Sequence, residues 1–290
     1  THFNDGILDL EVLKLTYGVD TNFDIQGQYP IIIDSTESEK VNLKSNFKNI
    51  NMSFFTQFSK IWKDNLFGTF SGQFNMGGTT KKTSFDINGK IDNAVYKGVP
   101  LGTVKWTGNY SNKTLTFDQF TSDWAENHIS GSAILPIVYD LAVTEKTWHS
   151  EGELLVKTEG SFSSAVFLST FLAETDSIVG DINIKLNIRG PTNGLIRDGE
   201  ISIDDGSIYT ILMDEPVKNI VASATLSDNI MEISLFNSTL DDSDLKKKID
   251  NHLNLSGKID FKRFFEPRYD LKILGNNIFY RSLNGDIEGY

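Results

Sequence analysis

Ile178-Val179-Gly180-Asp181-Ile182-Asn183-Ile184-Lys185-Leu186-Asn187-Ile188-Arg189 is apolar or glycine at every even position and, after Val179, polar at every odd one. A period of two places successive side chains on opposite faces of an extended chain, so this stretch predicts a strand with one apolar and one polar face. A one-residue slip would bury Asp181, Lys185 and Arg189, which sets the register firmly. Leu66-Phe67-Gly68-Thr69-Phe70-Ser71-Gly72-Gln73-Phe74-Asn75-Met76 has the same form, Phe67 being the one apolar odd position. The alternation recurs at Phe85, Ile87, Gly89, Ile91; at Val104, Trp106, Gly108, Tyr110; at Leu115, Phe117; at Ile129, Gly131, Ala133, Leu135; and at Leu253, Leu255, Gly257, Ile259, Phe261. These stretches predict an antiparallel, mostly-β chain. Turn residues such as Ser111-Asn112-Lys113 and Ser227-Asp228-Asn229 separate the strands, and only 6 prolines interrupt the ladder of backbone donors.

Two segments depart from the pattern. Phe54, Phe55, Phe58, Ile61 and Trp62 fall at helical spacing, as do Val166, Phe167, Phe171 and Leu172, and Ser53 and Ser164 are available as N-caps. Each predicts a short amphipathic helix.

Composition narrows the class of function. With 39% hydrophobic residues and 23 glycines in 290, the chain is globular in character and not disordered. A net charge of -12 opposes binding by phosphate neutralisation, so nucleic acid is not an expected partner. Apolar runs such as Tyr29 to Ile33 and Ala133 to Tyr139 fall far below the roughly 18 to 20 residues of a membrane span. The absence of cysteine excludes disulfides and thiolate metal sites and leaves the compartment open. Thr1 is not an initiator Met, and the last strand-like pattern stops at Tyr290, so the chain reads as a piece of something longer.

The same unit occurs twice. Phe54-Phe55-Thr56-Gln57-Phe58 corresponds to Val166-Phe167-Leu168-Ser169-Thr170-Phe171, and Leu66-Phe67-Gly68 to Ile178-Val179-Gly180. Asn88-Gly89-Lys90-Ile91 matches Asp198-Gly199-Glu200-Ile201, and Ile129-Ser130-Gly131 matches Leu255-Ser256-Gly257. Each unit closes on a proline and Tyr-Asp-Leu, Pro136 with Tyr139 to Leu141 and Pro267 with Tyr269 to Leu271. The predicted organisation is a tail of a preceding repeat (1–30), a connection with a helix (31–65), a repeat (66–141), a second connection with a helix (142–177), a second repeat (178–274) and the start of a following element (275–290). Repeats running off both ends imply a solenoid-like object.

Motifs for chemistry are weak. Gly72 to Thr79 has phosphate-loop glycine spacing but carries Gly78 where the lysine belongs and has no helical pattern after it. His2, His128, His149 and His252 share no ligand spacing. Leu240 to Asp244 followed by Lys246 to Lys248 lacks the glycine and terminal glutamate of a calcium loop and reads as a solvated insertion. There is no Gly-x-Ser-x-Gly elbow, and no catalytic residue, metal site or cofactor is assigned. What remains is the apolar stripe. It is the core of a β-sandwich, or the open face of a curved sheet that serves as a groove for acyl chains, and both predict the same alternation.

Gly190-Pro191-Thr192-Asn193-Gly194-Leu195-Ile196-Arg197-Asp198-Gly199-Glu200-Ile201-Ser202-Ile203, with Asn229 to Ile233, Leu255 to Ile259 and Pro267 to Leu271, resembles the repeat of the TamB/AsmA-like family of bacterial envelope proteins. The likeness covers both repeats, about two-thirds of the chain. It departs where the first repeat has Lys81 and Lys82 in the region answering to Pro191, and at the Asp241 to Lys248 insertion. The resemblance implies an all-β fold, an elongated, curved antiparallel sheet forming a U-shaped, taco-like hydrophobic groove, with the two short helices added. It implies a periplasm-spanning bridge of a diderm bacterium, anchored in the inner membrane by a segment outside this chain. Such a protein carries phospholipid acyl chains toward the outer membrane and supports outer-membrane biogenesis beside a barrel assembly partner. The expected partners are therefore phospholipids, that barrel protein and the inner membrane, with no cofactor and no covalent chemistry.

The expected lipid-groove residues are Phe70, Phe74, Met76, Phe85, Ile87, Ile91, Val104, Trp106, Leu115, Phe117, Ile129, Ala133, Ile182, Ile184, Leu186, Ile188, Ile201, Ile203, Leu253, Leu255, Ile259 and Phe261. The helices would line or plug the groove, or cap a sheet edge. The alternatives are a scaffold that docks a barrel by strand addition and a surface β-sandwich adhesin with a dry core.

Overall fold

The computed structural model describes residues 2–4, 6–17, 20–31, 39–56, 65–138, 152–164, 175–210, 216–240, 252–263, 267–275, 280–281 and 288–289. The strands are β1 (His2–Asn4), β2 (Ile7–Tyr17), β3 (Thr21–Pro30), β4 (Asn42–Asn51), β5 (Leu66–Gly78), β6 (Thr83–Tyr96), β7 (Val99–Ser111), β8 (Thr114–Trp124), β9 (Asn127–Pro136), β10 (Glu153–Ser164), β11 (Thr175–Pro191), β12 (Ile196–Thr210), β13 (Val217–Ser227), β14 (Ile230–Leu240), β15 (His252–Asp260) and β16 (Arg268–Gly275). They pair in chain order into one antiparallel sheet that is not closed, and β17 (Tyr280–Arg281) and β18 (Glu288–Gly289) form a separate pair. The chain is therefore all-β, and the alternation read from the sequence accounts for its strands.

Two compact units are present. The first comprises Thr1–Ala125, Ile129–Lys157 and Arg189–Leu195, and the second Glu126–His128, Thr158–Ile188 and Ile196–Tyr290. The strand series also carries the repeat. Gly68 on β5 and Gly180 on β11, matched in the sequence, have nearly the same φ, 137° and 135°.

Tight turns join the strands where the sequence predicts them. Asn112-Lys113 between β7 and β8, and Asp228-Asn229 between β13 and β14, are both left-handed at two successive residues, with φ of 49° and 63° and of 49° and 69°. Two left-handed residues in a row form the mirror-image turn whose twist matches that of the flanking strands.

Bulges interrupt the ladders in a regular way. Register shifts lie between Phe47 and Ile50, between Ile91 and Ala94, between Ile203 and Gly206, and between Lys218 and Val221. Each interval contains a left-handed Asn or Asp: Asn49, Asn93, Asp205 and Asn219, with φ between 50° and 54°. Asn and Asp tolerate that conformation better than other residues with a side chain. The extra residue changes the parity of the strand, so Phe47 and Ile50, or Ile91 and Ala94, keep to one face although three positions separate them.

The helix α1 (Ser53–Thr56) is four residues long. Its cap is Asn51, whose Oδ1 accepts a 2.9 Å hydrogen bond from the Ser53 amide, and not Ser53 as expected. Residues 57–64 of that predicted helix, the helix over Val166 to Leu172, and the insertion Asp241 to Lys248 lie outside the described residues.

A polar clamp ties the ends of three strand segments in the second unit. The Arg197 guanidinium on β12 donates to Asn229 Oδ1 at 2.9 Å and to the Phe261 carbonyl at 3.5 Å, while the amide of Asn229 donates to the Arg197 carbonyl at 3.1 Å. Arg197→Ala is expected to lower stability by about 2 kcal/mol, measured by urea unfolding, because hydrogen bonds from a charged group contribute roughly 1.5–3 kcal/mol. Lys at that position, lacking the planar fork, is expected to recover less than half of the loss.

Candidate functional site: the apolar face

The register joins the apolar residues of the first unit into one continuous face. One row runs Leu8, Tyr29 from β2 to β3; another runs Gly27, Leu43, Met76, Phe85, Tyr110, Leu115 from β3 to β8. Beside it lie Ile25, Ser45, Phe74, Ile87, Gly108 and Phe117, then Phe23, Phe47, Gly72, Gly89, Trp106 and Phe120, and beyond them Ile50, Phe70, Ile91 and Val104. In the second unit the corresponding face carries Ile201, Ala224 and Ile233, with Ile203, Ala222 and Phe236 on one side and Leu226, Met231, Ile259 and Tyr269 on the other.

The two faces differ in chemistry. The first unit's is aromatic: Phe23 stacks on Phe47 at 4.9 Å, Phe74 lies 5.3 Å from Phe85, and Phe85 stacks on Tyr110 at 4.7 Å. Phe70 is the hub, 5.4 Å from Phe47, 5.3 Å from Phe55 and stacked on Trp106 at 5.8 Å. These rings lie low on the sheet because two glycines face each other beneath them. A Cβ on Gly72 would come within 2.9 Å of the Phe70 ring, and one on Gly89 within 2.7 Å of both Phe70 and Trp106. The second unit's face is chiefly Ile, Leu, Ala and Met.

Every one of the expected groove residues is half-buried or buried and none is exposed. Phe70, Phe74 and Met76 stand on β5, Phe85, Ile87 and Ile91 on β6, Val104 and Trp106 on β7, and Leu115 and Phe117 on β8, all on the face just described. Ile129 and Ala133 flank Gly131 on β9, where a Cβ would point into the Phe120 ring at 2.5 Å, which puts this trio on the same face. Ile182, Ile184, Leu186 and Ile188 stand on β11, with Ile182 1% exposed and the other three half-buried. Ile201 and Ile203 are on β12, Leu253, Leu255 and Ile259 on β15, and Phe261 just beyond it.

Sequence reasoning missed several members: Phe23, Ile25, Leu43, Phe47, Phe120, Ala222, Ala224, Met231, Ile233 and Phe236. The parity changes at bulges hid part of this set. The signal is present in hindsight as adjacent polar residues within a strand: Lys48-Asn49, Asp92-Asn93, Asp118-Gln119, Asp204-Asp205 and Lys218-Asn219. Phe55 of α1 is the other addition. It meets Phe47 edge-on at 5.6 Å, so the described part of this helix lines the apolar face.

Within each unit, contacts between elements run from a strand to its neighbours in the chain and from α1 to β4 and β5. The described strands thus follow one another in chain order within a sheet that is not closed. Large apolar side chains on this face are open to solvent on the outer strands: Phe3 60%, Leu13 41% and Leu15 56% in the first unit, Tyr269 58% and Ile273 66% in the second. Gly72 to Gly78 is strand and not a phosphate loop. Among the described residues no group of three or more His, Asp or Glu is placed to hold a metal, and no helix is long and apolar enough to cross a membrane.

No family model, no curated protein and no solved structure matches the chain.

Proposed function

We propose that the apolar face of each unit is an open groove for lipid acyl chains, in a bridge-like protein of the TamB/AsmA-like kind in the periplasm of a diderm bacterium. The observation that carries this reading is an apolar face on one sheet that is not closed, its residues running from buried, as at Met76, Tyr110 and Ile182, through half-buried to exposed on the outer strands. A sandwich core would bury that face under a second sheet, and a contiguous apolar surface left uncovered normally marks a ligand or partner site. An acyl chain laid along it leaves water at a gain of about 0.8 kcal/mol per CH₂. Headgroups stay in solvent at the strand ends, and many similar rows avoid a single deep trap. The phospholipid would pass from an inner-membrane anchor outside this chain toward a barrel assembly partner in the outer membrane. No step needs a catalytic group or a cofactor.

Mass spectrometry of lipids co-purifying with the protein tests the reading, with Ile184→Asp and Phe74→Asp beside the wild type. The expected result is phospholipid on the wild type, lost from variants whose circular dichroism and melting remain near wild type, since both side chains are half-buried and a charge there keeps access to water. A lipid-free wild type, together with variants that unfold, would sink it.

A second reading, a scaffold that receives a partner strand at the sheet edge, is favoured by β16, whose eight residues are all exposed. Proline at Leu271 would abolish partner capture and leave lipid binding intact if docking were the function.

A further inference from the structure

The opposite face of the first unit is also organised in rows. Asp24, Asn46, Gln73, Asn88, Thr107 and Gln119 are consecutive cross-strand partners from β3 to β8. In the adjoining row Lys90 stands directly opposite Lys105. A shallow trough of about 580 Å³ lies over this region, bounded by side chains of both rows and floored by the backbone of Phe47, Gly72, Gly89 and Trp106. Its lining omits Phe70 and Phe74, which places it on the polar face, behind the aromatic stack.

The trough presents uncharged polar side chains beside the two lysines. Asn46, Gln73, Asn88 and Thr107 are exposed and uncharged, and each carboxamide offers both donors and an acceptor. Neighbouring strands place these groups about 4.8 Å apart, in a straight line across the strands. Like charges directly opposite one another are destabilising, yet Lys90 and Lys105 are paired in this way. Asp92 meets Lys90 at 2.7 Å, whereas Lys105 has no ion-pair partner among the described residues. The chain carries a net charge of -12, and the exposed ammonium of Lys105 is a local exception open to an anion.

We infer that this trough binds an acidic oligosaccharide, its hydroxyls along the Asn46, Gln73, Asn88 and Thr107 row and its carboxylate at Lys105 and Lys90. A hydroxyl-rich chain matches a line of amide and hydroxyl groups, and its acid group relieves the repulsion between the two lysines. This site is independent of the acyl-groove reading, because it uses the other face of the sheet.

Isothermal titration calorimetry on the whole chain tests it, with a trimer of galacturonic acid, a neutral galactose trimer and inorganic sulfate as probes. The acidic trimer is expected to bind at least about tenfold more tightly than the neutral one. Lys90→Gln with Lys105→Gln should remove that preference and leave weak binding of both sugars, while Asn88→Ala should weaken both alike. The double variant should melt near the wild-type temperature, since it removes the repulsive pair and the Lys90–Asp92 ion pair together. Absence of binding by the acidic trimer, equal binding of the neutral trimer, a double variant that binds as before, or displacement by an equal concentration of sulfate would each overturn the assignment.

Discussion

Alanine at Gly27 is expected to destabilise the protein by about 3 kcal/mol or more, and alanine at Gly98 by only about 1 kcal/mol. Both glycines have positive φ, 123° and 81°. The difference lies in their surroundings. A Cβ on Gly27 would overlap the carbonyl oxygen of Asn42 and press on Leu43 Cα at 3.2 Å, whereas one on Gly98 meets nothing within 4 Å. At Gly27 the ladder between β3 and β4 must therefore open, because a backbone carbonyl cannot rotate away as a side chain can. At Gly98 the cost is the left-handed conformation alone. Urea unfolding of the two variants measures the difference, and equal losses would mean that backbone conformation and not cross-strand approach makes Gly27 necessary.

Removal of the Phe70 ring has an effect of similar size and reports on the candidate groove itself. Phe70→Ala is expected to cost about 3 kcal/mol, at the low end for truncation of a core phenylalanine because the site is half-buried. The ring meets Phe47, Phe55 and Trp106, and it covers the paired backbones of Gly72 and Gly89. Neither glycine has a side chain to fill the space, so the loss would leave Trp106 without its stacking partner and two strands uncovered on that face. Phe70→Leu, which keeps an apolar cover, is expected to cost less than half as much. Unfolding followed by tryptophan fluorescence measures both. A loss below about 1 kcal/mol for the alanine variant would show that the aromatic ladder is not a packing unit.

How far the site could be read in advance depended on position along each strand. Between turns the alternation identified the face directly, as at Phe70, Phe74, Ile87, Trp106 and Ile201. Past a bulge the same reading passed over residues that share the face. Phe120 follows Phe117 by three residues and shares its face because the extra residue at Asp118-Gln119 resets the parity. Phe55 could not be assigned at all, since periodicity says that a segment is helical but not which surface it settles on.

The sequence by itself determined the all-β class, the antiparallel order implied by short polar turns, the internal repeat, and the amphipathic character of nearly every strand. These follow from local physics: a period of two, a left-handed turn at Asn112-Lys113, and too few prolines to break the ladders. Only the tertiary structure decided which rows meet across strands, that the strands pair in chain order into a sheet that is not closed, and that α1 lays Phe55 on the aromatic face. It also brought Lys90 opposite Lys105. Those outcomes depend on register, and register depends on bulges whose single extra residues alter hydrogen bonding between segments far apart in the chain while changing the local pattern by only one position.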